Sequence, residues 1–196
     1  ALYARAGWAT IHGPTVLPGF VPGGVSPMTR RALRRMLFRT GPLPRLRLAP
    51  AEVLAEGAAT GPLVGGNLEL LTSLLGTPWA PPTRGAILFI EEVGESEEVL
   101  DERLAHLRLA GKLDGVRAVL FGDMSLNPIS TPYHILDVIR EAVGDLGVPI
   151  ACGLPAGHGT HNVPLAIGAT YTLDTRRRTV EQLDFGSEET GDVPAL

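Results

Sequence analysis

Ile87-Leu88-Phe89-Ile90-Glu91-Glu92 is the most informative segment for the architecture, because four large apolar residues run directly into two carboxylates. A short continuous apolar run is typical of a strand buried on both faces of a parallel sheet. In open α/β sheets the carboxyl ends of such strands face the ligand crevice. Alternation points the two glutamates in opposite directions, so only one can enter a given cleft. The plain alternative is a strand-end carboxylate that is solvated or caps a neighbouring segment.

The segments around this strand alternate between strand and helix patterns. Apolar strands are predicted before the double glycine Gly65-Gly66 and at 85–90, 116–121 and 148–151, and helices at 67–75, 97–110 and 132–146. This alternation predicts an α/β fold with parallel central strands and both faces of the sheet covered. Two further strand patterns, at 169–173 and 179–183, predict a terminal antiparallel hairpin.

The composition limits the classes of function. The chain has 196 residues, 44% hydrophobic and 19% charged, which is enough for one large core. A net charge of −4 argues against a nucleic-acid partner. No apolar run reaches the roughly 18 residues that span a bilayer, so no membrane partner is expected. The single cysteine, Cys152, fits a reducing compartment, and we expect a cytoplasmic protein.

The second segment that indicates chemistry is the loop Gly157-His158-Gly159-Thr160-His161-Asn162. Its glycines allow unusual backbone angles and close approach of a ligand, and histidine shuttles protons near neutral pH. A strand-end carboxylate and a loop histidine are two thirds of a hydrolytic triad. The third member is missing, because no serine of the chain sits in a Gly-x-Ser-x-Gly elbow.

The histidines have two other interpretations. A zinc site needs at least a third ligand, and Cys152 and Asp123 belong to no ligand motif, so no metal is expected. His12, His106 and His134 are interpreted as structural or exposed residues.

Several segments together resemble the LD-carboxypeptidases, serine peptidases that also include the microcin-immunity enzymes. The segments are Gly61-Pro62-Leu63-Val64-Gly65-Gly66-Asn67-Leu68, Leu75-Gly76-Thr77-Pro78-Trp79, 87–92, 107–113, Gly122 and 157–168. They stand in the family order and cover most of the chain. The resemblance implies a Ser-His-Glu triad, without metal or organic cofactor, that removes the terminal D-alanine of a murein tetrapeptide during cytoplasmic wall recycling.

The resemblance also assigns the catalytic roles. The family's glutamate falls on Glu91, with Glu92 in place of the usual Asp, and its histidine falls on His158, not His161. Its serine belongs to a Gly-aromatic-Ser-Asp motif of an N-terminal flavodoxin-like domain. That serine is expected about eight or nine residues, roughly two helical turns, before Ala1. The nucleophile is therefore expected outside this chain, and the chain alone is expected to be inactive.

Domain limits and substrate contacts follow from the same resemblance. Residues 1–50 are expected to be the tail of the nucleophile-bearing domain and a linker. Residues 51–188 are expected to form a C-terminal swivelling β/α domain with a mostly parallel sheet, and 189–196 a flexible tail. Four residues of the matching segments are expected to bind the substrate: Gly66, Asn67, Trp79 and Asn162. A homodimer is expected by analogy with relatives.

Two other functions stay open. One is a microcin-type immunity peptidase, which cleaves a peptidyl-aminoacyl nucleotide analogue and needs an aromatic pocket, for which Trp79 is the candidate. The other is a non-catalytic module whose histidine loop recognises a carboxylate ligand. This second alternative is favoured if the mature protein starts at Ala1 and has no serine nucleophile.

Overall fold

The computed structural model describes residues 2–15, 24–38, 45–48, 53–125 and 132–185. The helices are α1 (Leu2–Ala6), α2 (Pro27–Phe38), α3 (Leu68–Ser73), α4 (Glu97–Leu109) and α5 (Pro132–Val143). The strands are β1 (Thr10–His12), β2 (Leu46–Arg47), β3 (Val53–Ala55), β4 (Ala58–Asn67), β5 (Ile87–Val93), β6 (Ala118–Ser125), β7 (Ile150–Ala151), β8 (Leu165–Ile167), β9 (Thr170–Asp174) and β10 (Thr179–Gln182). The expected tail at 189–196 lies outside the described residues. No helix in the described ranges has the length and apolar character needed to cross a bilayer.

The main sheet has eight strands in the order β2-β10-β9-β4-β5-β6-β7-β3. The predicted α/β class and the terminal hairpin β9–β10 are confirmed, and β4, β5, β6 and β7 pair in parallel as expected. The expectation of a mostly parallel sheet is wrong, because the other four pairings in the described sheet are antiparallel. The sheet is therefore mixed, with a parallel centre and antiparallel strands toward both edges.

The mixed character comes from the length of β4. The strand begins at Ala58, before the apolar segment that predicts it, and its first half pairs with β9 in the antiparallel sense. Its second half, from Leu63 to Asn67, pairs with β5 in parallel. One strand thus joins the hairpin to the parallel centre.

A separate two-stranded sheet is formed by β1 and β8, which pair antiparallel with His12 opposite Leu165. β8 follows the histidine loop in the chain. This pairing therefore brings the N-terminal strand next to the end of that loop.

Alternation along β5 divides the apolar core into two clusters. Ile87 and Phe89 belong to the cluster that also contains buried residues of α2 and β8, whereas Leu88 and Ile90 belong to the cluster under α3, α4 and α5. The same alternation continues to the end of the strand. Glu91 therefore lies on the face of Phe89, and Glu92 on the face covered by the helices.

The parallel centre depends on a glycine where β4 comes close to β5. Gly65 has φ of +147°, a region that side chains rarely adopt, and a Cβ there would lie 1.8 Å from the carbonyl oxygen of Phe89. Gly66 has nearly the same φ, +146°, but a Cβ there would meet nothing nearer than 3.8 Å. The two glycines share a backbone conformation and differ in the space around them.

This difference allows backbone strain and steric clash to be measured separately. We expect Gly66→Ala to lower the free energy of unfolding by about 1–3 kcal/mol, the cost of the strained backbone alone. Gly65→Ala adds a collision with backbone atoms and should cost more than about 4 kcal/mol. Urea denaturation of the two variants checks this. Equal losses of unfolding free energy would show that β4 and β5 can move apart without an energetic cost.

Candidate active site

The centre of the site is a carboxylate–imidazole pair. Glu91, at the end of β5, has a fully buried side chain, and its Oε2 lies 2.8 Å from Nδ1 of His158. His158 is about half exposed, at 48%. This contact is the one expected of a triad carboxylate and base, the roles that the family resemblance assigns to these two residues. The other carboxylate oxygen of Glu91, Oε1, is also buried and has no hydrogen-bond partner within the described part of the chain.

Hydrogen bonds within and beneath the histidine loop hold His158 over the sheet. The N–H of Gly157 donates to Oδ1 of Asn162 at 3.2 Å, which closes the loop on itself. The N–H of Asn162 donates to Oγ1 of Thr29 at 3.0 Å, which ties the loop to α2. Asn162 thus uses its side chain to shape the loop while it lines the cleft described below.

The loop also needs a small residue where it crosses β6. A Cβ at Gly159 would lie 2.0 Å from Oδ2 of Asp123, whose Oδ1 accepts a hydrogen bond from the Ser125 hydroxyl. Glycine at 159 therefore lets the loop pass directly over Asp123. This close approach is the physical reason for the glycine that follows His158.

Burial dominates the electrostatics of Glu91. Removal from water raises the pKa of the Glu91 carboxyl, and its hydrogen bond to His158 and the charge of that ring oppose the rise. The neighbouring charge of Glu92 adds to the rise in this pKa. The Glu91 carboxylate is therefore costly to keep ionised, and a cation on His158 stabilises its ionised form.

Glu92 points to the opposite face of the sheet, where its contacts stabilise the fold. Its buried carboxylate accepts hydrogen bonds from Nδ2 of Asn67, the N–H of Glu69 and Nη1 of Arg103, at 2.8, 3.1 and 2.7 Å. Asn67 also caps α3, because its Oδ1 accepts from the N–H of Leu70. Glu92 thus fixes the start of α3 against the sheet.

The pair opens into a cleft of about 580 Å³. Five of the predicted site residues line this one cleft: Gly66, Asn67, Glu91, His158 and Asn162. The sixth, Trp79, is not among the described lining residues. It is partly exposed, and the guanidinium of Arg5 lies 5.7 Å from its ring centroid. The turn after α3 carries Trp79 toward α1, a path that its sequence position does not reveal.

The cleft contains one histidine that the sequence interpretation missed. Nε2 of His12 lies 3.9 Å from Oε1 of Glu91, and its ring meets the ring of Phe89 edge-on at a centroid distance of 5.3 Å. Burial lowers the pKa of His12, and repulsion from His158 lowers it further. The interpretation of His12 as structural or exposed overlooked this position, because the β1–β8 pairing that creates it leaves no local sequence signal.

The arrangement is one that can supply a general base and its orienting group. When Nδ1–H of His158 donates to Glu91, the other ring nitrogen, Nε2, is left to accept a proton. The described residues that line the cleft include no serine, and their hydroxyl groups belong to Thr15, Thr29 and Thr160. Among the described residues, no three His, Cys, Asp or Glu side chains are grouped to hold a metal ion.

Comparison with known proteins gives concordant results. The family described as LD-carboxypeptidase C-terminal domain matches residues 60–173. A probable murein peptide carboxypeptidase of Bacillus subtilis is 32% identical over 182 residues, which are 91% of this chain and 57% of that protein. The chain thus spans a little over half the length of the curated relatives it matches.

Solved structures share the fold. A muramoyltetrapeptide carboxypeptidase from Oxalobacter formigenes superposes with a TM-score of 0.79 at 24% identity, over 92% of this chain and 63% of that one. The microcin C7 self-immunity protein MccF, in complex with glutamyl sulfamoyl guanosine, also gives 0.79, at 22% identity over 95% of this chain and 64% of that one. At these identities the likeness shows the α/β fold with its curled mixed sheet.

Loss of charge at the two adjacent glutamates should have different effects on the free energy of unfolding. Glu92→Gln breaks a buried ion pair with Arg103, so we expect it to lower the free energy of unfolding by about 3 kcal/mol. Glu91→Gln removes a poorly compensated buried charge and should be neutral or stabilising at neutral pH. Urea denaturation of both variants provides the measurement.

The pH dependence gives a second check on Glu91. The pKa of Glu91 is raised in the folded state, so its favourable contribution is complete below the unfolded pKa and is lost as pH rises through the folded pKa. The stability of Glu91→Gln relative to the wild type should therefore increase across that window and then level off. A constant difference from acidic to neutral pH would contradict the raised pKa.

Proposed function

Because the chain belongs to the LD-carboxypeptidase family, we propose that the full-length protein is a serine carboxypeptidase that releases the terminal D-alanine of a murein tetrapeptide. The observation that carries the proposal is the 2.8 Å contact between the buried Glu91 carboxylate and His158 at the edge of the cleft. The proposed bond is an L-to-D peptide bond at a free carboxyl end, and the proposed setting is recycling of wall peptides in the cytoplasm.

The proposed chemistry is acyl transfer with His158 as the shared base and acid. Nε2 takes the proton of a serine hydroxyl as its oxygen attacks the scissile carbonyl, and then gives that proton to the amine of the departing D-alanine. Water then hydrolyses the acyl-enzyme with the same base. Glu91 holds the ring in the tautomer that exposes Nε2, and its charge stabilises the imidazolium formed in each step.

The proposed nucleophile comes from outside these 196 residues. Two observations support this: the chain spans only a little over half of its curated relatives, and the described lining of the cleft offers no serine. In this arrangement one domain carries the base and its carboxylate, and the other brings the hydroxyl to them. The proposal includes the expectation that the 196-residue chain alone does not turn over substrate.

The immunity-peptidase alternative receives less support from the geometry. A nucleotide analogue needs an aromatic platform, and Trp79 lies under Arg5, away from the described lining of the cleft. In a competition assay with the full-length protein, a tetrapeptide should be cleaved with little inhibition by an aminoacyl sulfamoyl nucleoside. Strong inhibition by the nucleoside, together with its hydrolysis, would favour the immunity reaction.

Release of D-alanine by the full-length protein tests the main proposal. We expect His158→Ala to reduce kcat/KM on a tetrapeptide ending in D-alanine by about 10⁶-fold, and Glu91→Gln by about 10⁴-fold, the losses typical of a triad base and its orienter. D-Alanine can be followed with a coupled D-amino-acid oxidase assay.

His161→Ala is the matched control, because His161 is an exposed histidine of the same loop that lies outside the described lining of the cleft. It should retain nearly full activity. A tetrapeptide ending in L-alanine should not be cleaved. Binding of the tetrapeptide without D-alanine release, unaffected by His158→Ala, would instead identify a non-catalytic binding module.

A further inference from the structure

One oxygen of the central carboxylate is unexplained by the proposed triad. Oε2 of Glu91 is engaged by His158, but Oε1 is buried and without a hydrogen-bond partner in the described residues. A buried charged acceptor that is left unsatisfied is costly, and such an atom calls for a physical account. An ionisable nitrogen, Nε2 of His12, lies 3.9 Å from this oxygen.

His12 is held on the correct face to serve this oxygen. The residue ends β1, which is fixed by its pairing with β8, and its ring lies edge-on against Phe89. Phe89 and Glu91 share one face of β5, so the ring that packs on Phe89 reaches the carboxylate two residues further on. Gly66 borders the other side of the ring, since a Cβ there would lie in ordinary van der Waals contact, 3.8 Å, with Nδ1 of His12.

We propose that His12 is a positioning residue for the reaction, whose Nε2–H donates to Oε1 of Glu91 so that the carboxylate is held between two imidazoles. This inference rests on the proposed function. The 3.9 Å separation exceeds a direct hydrogen bond by about 1 Å, a gap that a small inward shift of His12 closes or a bridging water spans. In either case the donor fixes the plane of the carboxylate, and hence the orientation of His158.

The role requires a neutral ring at His12. A cation there would compete for the charge of Glu91 and would repel the imidazolium that forms on His158. The surroundings favour the neutral form, since burial and the charge of His158 both lower the pKa of His12. The ionisable groups near the carboxylate are His12, His158, the oppositely directed Glu92, and Asp123 beneath the loop.

The test compares three variants of the full-length protein. His12→Gln places an amide N–H near the position of Nε2, whereas His12→Asn, one methylene shorter, places it near Nδ1, out of reach of Glu91. His12→Phe keeps the aromatic contact with Phe89 and removes the donor. We expect the Asn and Phe variants to lose about 10- to 100-fold in kcat with little change in KM, and the Gln variant to stay within about threefold of wild type.

The dependence of kcat/KM on pH distinguishes a positioning role of His12 from a packing role. Without the donor, the Glu91–His158 pair binds its proton more tightly, so the acid limb of kcat/KM should move to higher pH in the Asn and Phe variants. It should stay in place in the Gln variant. Equal losses in all three variants with an unmoved limb would reduce His12 to a packing residue, and wild-type activity in the Asn and Phe variants would overturn the inference.

Carboxyl ¹³C NMR of Glu91 in the same proteins keeps the inference distinct from the proposed function. Loss of the donor should raise the pKa of Glu91 above its value in the wild type in His12→Asn and His12→Phe, whether or not the protein cleaves a tetrapeptide. If the wild type releases no D-alanine but the two variants show this rise, the function alone is contradicted. If the wild type is active and the pKa of Glu91 is the same in every variant, the role of His12 alone is contradicted.

Discussion

Two consecutive carboxylates are buried at the end of β5, and the surrounding elements are arranged to accommodate both. A charge removed from water must be paired or hydrogen-bonded, or it shifts its protonation. Strand alternation sends Glu92 toward the helices and Glu91 toward the cleft, so each face must supply its own partners. On the helical face these partners are Arg103, Asn67 and the first turn of α3, which makes the start of that helix part of the ion pair.

The cleft face depends on close backbone approach as much as on charge. β4 can lie against β5 because position 65 has no side chain, and the histidine loop can cross Asp123 because position 159 has none. Because of these two close backbone contacts, the end of β5 and the histidine loop lie near enough to form a hydrogen bond with each other. The glycines thus act by letting larger groups meet, and the geometry of the Glu91–His158 pair is a result of packing.

The sequence predicted the parts of this structure that depend on local pattern. The buried strand β5 and the hairpin β9–β10 both follow from short-range signals, and they are confirmed. Glu91 and His158 are far apart in the chain. Their residue types suggested two thirds of a triad, and the family resemblance assigned the role of each. The antiparallel pairings of β4 with β9 and of β3 with β7, the β1–β8 pair and the positions of His12 and Trp79 were missed. Long-range pairing and the path of a turn leave no periodic mark in the chain.

The different partners of the two glutamates explain how one strand end can serve both structure and chemistry. Arg103 is a permanent cation, and its 2.7 Å contact neutralises Glu92 and commits it to holding the fold together. The same partner on Glu91 would remove the negative charge that an imidazolium on His158 requires. Imidazoles avoid this problem, because a neutral ring donates a hydrogen bond without cancelling the charge. A carboxylate flanked by His158 and His12 can therefore be oriented and remain anionic, at the cost of the raised pKa that its burial imposes.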